Sequence, residues 1–144
     1  MHINFHTEDT KFELQQQQAV EDWLRQVIKQ EGSTLAELNY IFCSDEYLYQ
    51  MNMDYLQHDT YTDVITFPYS EELVHGDVFI SIERVFDNAS HFDVTVADEL
   101  HRVVVHGLLH LLGYHDKTEA QQAEMTQKED TYLKARATEL IEVI

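Results

Sequence analysis

A chain with one cysteine, Cys43, closes no intramolecular disulfide, so its stability has to come from packing and hydrogen bonds. Cys43 ends the apolar run Tyr40-Ile41-Phe42-Cys43, which reads as a buried, inert thiol. With one proline and four glycines in 144 residues there is no Pro/Gly-rich linker, and the connections between elements should be short. No uninterrupted apolar run approaches the ~20 residues that a membrane-spanning helix needs. The opening segment MHINFHTEDTKFEL also lacks the basic stretch and apolar stretch of a secretory signal. The expectation is a soluble, cytoplasmic protein with no membrane partner.

Positive charge is scarce as well. Nine Lys and Arg stand against 27 Asp and Glu, a net charge of −18, which repels nucleic acid at long range. Between Lys29 and Arg84 there is no Lys or Arg at all. Six of the nine, Arg84, Arg102, Lys117, Lys128, Lys134 and Arg136, lie in the C-terminal part, so a basic patch would have to be built there.

What is present suits a single domain over 1–144, a length that typically buries about 68–70% of its unfolded surface. Hydrophobic residues are 44% of the chain, with Trp23, eight Tyr and seven Phe to fill a core. Alternation in His2–His6 predicts a short strand, and the spacing of Ala19, Val20, Trp23, Leu24, Val27 and Ile28 predicts a helix from Phe12 to Lys29, stopped by Gly32. Glu37–Cys43 is rich in strand formers. Ser44 offers an N-cap with Asp45 and Glu46 behind it, opening a helix to about Leu56. Thr62–Tyr69, closed by Pro68, and Gly76–Ile82 read as further strands, and Glu83–His91 as a short helix. Thr95 with Asp98 starts a helix from Ala97 to Leu112, ended by Gly113; Thr118 with Gln121 opens a last amphipathic helix to about Glu142, with Ala123, Met125, Leu133 and Leu140 among its apolar residues. The fold class that follows is α+β: a small mixed four-stranded sheet flanked by helices, with a central buried helix that carries a metal.

The chemistry concentrates in residues 106 to 116, HGLLHLLGYHD. His106 and His110, four apart, leave one face of the helix, so two ring nitrogens can converge on one ion at ~2.0–2.1 Å. Paired histidines also occur by chance on surface helices. Here both are set among aliphatic residues, where a polar ring needs a partner. Beyond the bend at Gly113 two further donors return, His115 and Asp116. Asp116 stands ten residues after His106, the third-ligand position of the long H-x-x-x-H-x-x-G-x-x-H arrangement. Zinc is the default divalent ion for such a set; nickel, iron or manganese also suit His and carboxylate. Absent is the glutamate that zinc peptidases of the H-E-x-x-H type place after the first histidine, because that position is Gly107.

These residues resemble the YbeY endoribonuclease family, the rRNA maturation factors, whose hallmark is H-G-x-L-H-L-x-G-Y-D-H. The chain carries it from His106 to Asp116 with the last pair exchanged. Thr62-Asp63-Val64-Ile65-Thr66-Phe67-Pro68 is similar to the family's T-D-V-L-S-F-P, and Gly76-Asp77-Val78-Phe79-Ile80-Ser81, followed by Asn88-Ala89, to its G-D-I-x-I-S. The resemblance implies a metal-dependent, single-strand-specific endoribonuclease acting on ribosomal RNA in maturation and quality control, with the small ribosomal subunit or its assembly factors as company. It carries the ligand roles to His106, His110 and Asp116, the last standing where the family has histidine. His115 falls on the family's aspartate position, a candidate catalytic group or alternative ligand. An arginine that the family has six residues before the Thr of T-D-V is Leu56 here; His58 and Lys117 are candidates for its phosphate-clamping role. Two other classes stay open at this point. One is a metallohydrolase of another bond, such as an amide, with Asp63 or Asp77 beside the ion. The other is a non-catalytic, metal-stabilised assembly factor.

Overall fold

The computed structural model describes residues 1–141. Its elements run β1 (His2–Glu8), α1 (Gln17–Gln30), β2 (Leu35–Cys43), α2 (Asp45–Leu56), β3 (Val64–Pro68), β4 (Val74–Ser81), α3 (Ile82–His91), α4 (Val96–Leu111), α5 (Glu119–Lys134) and α6 (Thr138–Ile141). The four strands form one sheet in the order β1-β2-β4-β3, with β1/β2 and β2/β4 parallel and β3/β4 antiparallel. This is the mixed sheet and the α+β class that the alternation and spacing predict. Among the described residues no helix is long and apolar enough to cross a membrane.

The expected caps form. Ser44, Thr95 and Thr118 accept from the backbone N–H groups of Tyr47, Asp98 and Gln121, and at Thr118 the Gln121 side chain returns the bond. Ser81 caps α3 in the same way. The last helix departs from expectation: α5 stops at Lys134 and α6 restarts at Thr138, whereas the sequence predicts one helix to about Glu142, whose final residues lie outside the described ones. Arg136 sits in the break and accounts for it. Its Nε donates to the Leu133 carbonyl at 2.8 Å, while its Nη groups reach His101 at 2.8 Å and Asp98 at 2.9 Å on α4. The turn lets Leu140 return, fully buried, to the core.

Strand alternation sorts the sheet into two faces. Leu38, Tyr40, Phe42, Val78 and Ile80 join the main core with α1 and α4, whereas Cys43 and Ile65 form a smaller cluster with Leu48 of α2, edged by Phe67 and Phe79. Burial pushes the Cys43 thiol up to about 12, with Asp45 and Asp9 adding to the effect, so it stays protonated and inert as anticipated. Helix α4 is central: eleven of its sixteen residues are buried, and the Tyr40 hydroxyl donates to its Val104 carbonyl at 2.8 Å.

Helix and sheet approach closely because of two glycines. A Cβ on Gly107 of α4 would lie 2.5 Å from Val78 Cγ1, and one on Gly76 of β4 would lie 2.8 Å from Leu111 Cδ2 of α4. Gly107 therefore seats α4 on β4. His101, one and a half turns earlier, is buried with its Nδ1 accepting from Arg136. Burial and then the Arg136 charge hold its imidazole down at about 4.

Two outcomes follow. Gly107→Ala should destabilise the fold by about 1–3 kcal/mol through overpacking, and adding Val78→Ala should recover part of it. Thermal unfolding followed by circular dichroism measures both, and an unmoved midpoint in Gly107→Ala would contradict the close seat. His101 is neutral in the fold and takes a proton only near pH 4, whereas the unfolded chain takes it near 6.5. Its stabilising contribution is complete above about pH 6.5 and is lost as pH falls toward 4, amounting to about 3 kcal/mol. In His101→Gln the loss of stability across that window should be correspondingly shallower in urea titrations at a series of pH values.

Candidate metal centre

Two turns of α4 present the pair. His106 and His110 stand one turn apart with ring centroids 4.6 Å apart and planes at 82°, and their Nε2 atoms are 3.0 Å apart. The third donor arrives through the turn that ends the helix. Gly113, at φ +103°, donates to the His110 carbonyl, and Tyr114 donates to that of Leu109. The chain then swings Asp116 back, its Oδ2 3.2 Å from His110 Nε2 and 3.4 Å from His106 Nε2. Among the described residues His106, His110 and Asp116 are the group whose ligand atoms gather within 4.8 Å of one another. Around a tetrahedral ion with bonds of ~2.0–2.1 Å, ligand atoms sit ~3.3–3.4 Å apart. The observed separations approach that spacing.

The rings' other nitrogens decide what the cluster can accept. His106 Nδ1 donates to the Glu129 carboxylate at 2.6 Å, and His110 Nδ1 donates to the Tyr114 carbonyl at 3.0 Å. With both Nδ1 hydrogens committed, each neutral ring turns a lone pair toward the other and toward the Asp116 carboxylate. In that neutral state three electron-pair donors face one another, so the cluster gains by taking up a positive charge. Such a set calls for a cation, and its His and carboxylate donors fit a divalent one.

The electrostatics agree. Burial by itself pushes the His106 imidazole down, but the hydrogen bond to Glu129 and the charges of Glu129, Asp116 and Asp63 outweigh it, and the net shift is upward. His110 goes the other way, lowered first by burial and then by the His106 charge. The site therefore attracts one positive charge and shares it poorly between two separate protons. A single ion shared by three donors relieves that conflict.

Glu129 comes from α5 and was not singled out by the sequence reading. Its carboxylate is buried between His106 and Arg102, whose Nη1 donates to it at 2.8 Å while Nη2 holds Asp130 at 2.6 Å. One signal was available. Glu129 falls four residues after Met125 and three and four before Tyr132 and Leu133, all buried, so it stands in the apolar stripe of α5. A carboxylate there needs a partner within the fold. Such a group fixes the tautomer of a ligating histidine and raises its basicity.

Of the remaining candidates, the structure does not bring His115 into the donor cluster. It is exposed and lines a shallow hollow with Glu31, Gly32, Tyr114, Gln121 and Glu124. His58, Lys117 and Leu56 are also exposed. Asp77 lies on the sheet face away from α4, held by Asn39 at 3.0 Å and Tyr69 at 2.7 Å. Asp63 differs from Asp77: burial raises its carboxyl above the usual range, and it lies within electrostatic reach of His106, Glu129 and Arg84.

Comparison with known proteins supplies independent information. The family described as Endoribonuclease YbeY matches residues 2–137. An Endoribonuclease YbeY of Cytophaga hutchinsonii is 54% identical over 136 residues, covering 93% of this chain and 95% of that protein. Another, of Amoebophilus asiaticus, is 48% identical over 135 residues, covering 92% of each. The solution structure of a Thermotoga maritima protein superposes with a TM-score of 0.68 at 30% identity, covering 92% of this chain and 87% of that one.

Glu129→Gln keeps the shape of the carboxylate and removes its charge. Zinc affinity should fall about 10–100-fold, the usual cost of losing such a partner. Titration calorimetry reads the change directly, and an affinity equal to that of the unaltered protein would mean that Glu129 does not tune the pair.

Proposed function

The chain belongs to the Endoribonuclease YbeY family, and on that premise we propose that it is a metal-dependent endoribonuclease that cuts single-stranded ribosomal RNA in maturation and quality control. The observation that carries the reading is the convergence of His106 Nε2, His110 Nε2 and an Asp116 oxygen, with the Nδ1 atom of each ring bonded elsewhere. We assign zinc to His106, His110 and Asp116, with Asp116 rather than His115 as third ligand, and take the chain to work as one domain beside the small ribosomal subunit or its assembly factors.

A divalent ion held there supplies Lewis acidity toward a phosphodiester and acidifies water. The residues supply the rest. His106 and His110 are kept in the Nδ1–H form by Glu129 and the Tyr114 carbonyl, so neither serves as a mobile proton carrier. Glu129 itself is engaged by Arg102. Asp63 remains as proton acceptor: its carboxyl, raised by burial, is closer in basicity to the nucleophile's demand than an ordinary aspartate. The guanidinium sharing its field is Arg84, ion-paired with Asp45 at 2.8 Å and lying 5.6 Å over the Tyr61 ring. We infer that Arg84 takes over part of the phosphate contact for which Leu56 offers nothing.

An amide-hydrolysing reading is not favoured. The base of the H-E-x-x-H type would stand at Gly107, where even a Cβ meets Val78. The non-catalytic reading is not favoured either, since the relatives are named as endoribonucleases.

The test is cleavage of an end-labelled single-stranded ribosomal RNA fragment by zinc-loaded protein. Cleavage should stop on chelation, and His106→Ala should lose both metal and activity. Asp63→Asn should keep its zinc and lose about 10²–10⁴-fold in rate. Chelator-insensitive cutting, or full zinc retention in His106→Ala, would refute the assignment.

A further inference from the structure

We propose that Glu31 is a positioning residue for the candidate metal centre, the common anchor of the two acceptors that orient His106 and His110. The inference rests on the reading of His106, His110 and Asp116 as zinc ligands.

Glu31 ends α1, remote in sequence from residues 106 to 116. Its side chain is 10% exposed and gathers three donors from two other segments. The Tyr114 hydroxyl donates to Oε1 at 2.5 Å, the Tyr132 hydroxyl to Oε2, and Lys128 Nζ to Oε2 at 3.1 Å. Lys128 Nζ also stands 5.5 Å over the Tyr114 ring. Burial opposes the charge on Glu31, but these hydrogen bonds outweigh it and keep its carboxyl below the usual range. An ionised carboxylate with several donors is a strong tether.

Each tether leads to one histidine. Tyr114 is the residue whose carbonyl receives His110 Nδ1, so fixing its ring end fixes where that carbonyl points. Lys128 and Tyr132 flank Glu129 on α5, one residue before it and three after, so holding them holds the carboxylate that receives His106 Nδ1. A single carboxylate from α1 sets the mutual position of the two acceptors.

Glu31→Gln removes the charge and Tyr114→Phe removes one hydroxyl from a half-buried ring, a change mild enough to leave the fold in place. Competition with a chelating dye should show zinc affinity reduced about tenfold in Glu31→Gln and about threefold in Tyr114→Phe, smaller than the loss from a direct partner of a ligand. The double variant should lose about tenfold, as Glu31→Gln does alone and short of the product of the two, because they lie on one path. Ile28→Val loosens the same helix without touching the tether and should leave zinc affinity unchanged. In cobalt-substituted protein the visible bands should move in Glu31→Gln and stay in Ile28→Val. Affinity within twofold of the unaltered protein in both Glu31→Gln and Tyr114→Phe would overturn the proposal. So would an equal loss in Ile28→Val, which would mark a general loosening. His106→Ala separates the levels: if it still holds zinc, the ligand assignment fails first, whereas zinc lost there and kept in Glu31→Gln sinks only the role of Glu31.

Discussion

Two imidazoles whose Nε2 atoms stand 3.0 Å apart beside a carboxylate favour a positive charge between them, whether a proton or an ion. Holding the two rings in that arrangement falls to the surrounding structure. The Nδ1 hydrogens are drawn outward, one by a carboxylate and one by a carbonyl, and a second carboxylate closes the third side. Each of the three restraints comes from a different stretch of chain: α5, the turn after Gly113, and the segment that follows it. The centre is thus a point where several elements are forced to agree, and the order of the helices follows from that need.

The sheet plays its part by fixing the height of α4. With no side chain at Gly107, the helix drops onto Val78, and the two histidines beside it stand where α5 and the turn can reach them. Arg102, one turn before His106, extends to α5 and satisfies both Glu129 and Asp130. A buried carboxylate shared by a guanidinium and an imidazole costs little because every oxygen is paired. Arg136 does similar work at the other end of α4, at the expense of a straight last helix.

The pattern of polar and apolar residues was enough to place all four strands and the capped helices α2 and α4, whereas α1, expected from Phe12, begins at Gln17 without a side-chain cap. Residues 106 to 116 also declared themselves, since both histidine spacing and the Gly113 bend are local properties. What stayed hidden is what depends on tertiary approach. Glu129 gives only a weak sign, a charge inside an apolar stripe, and Glu31 gives none, because its partners are 83 to 101 residues away along the chain. The break at Arg136 was equally invisible: nothing in Ala135-Arg136-Ala137 opposes a helix, and the interruption comes from groups on α4. Asp63 and Asp77 read alike in sequence, and only the pleat of the sheet and the position of α4 tell them apart.

The glycine seat also limits where this fold can travel in chemistry. A peptidase of the H-E-x-x-H kind shares its histidine spacing, and a single change at position 107 is all that separates the two motifs on paper. In space the carboxylate would have to occupy the volume of a valine on the adjoining strand, so the helix would lift and drag His106 away from Glu129. Acquiring the base would cost the orientation of the histidine it was meant to serve. The two catalytic designs are neighbours in spelling, yet a barrier of packing lies between them, and only coordinated changes on strand and helix together would cross it.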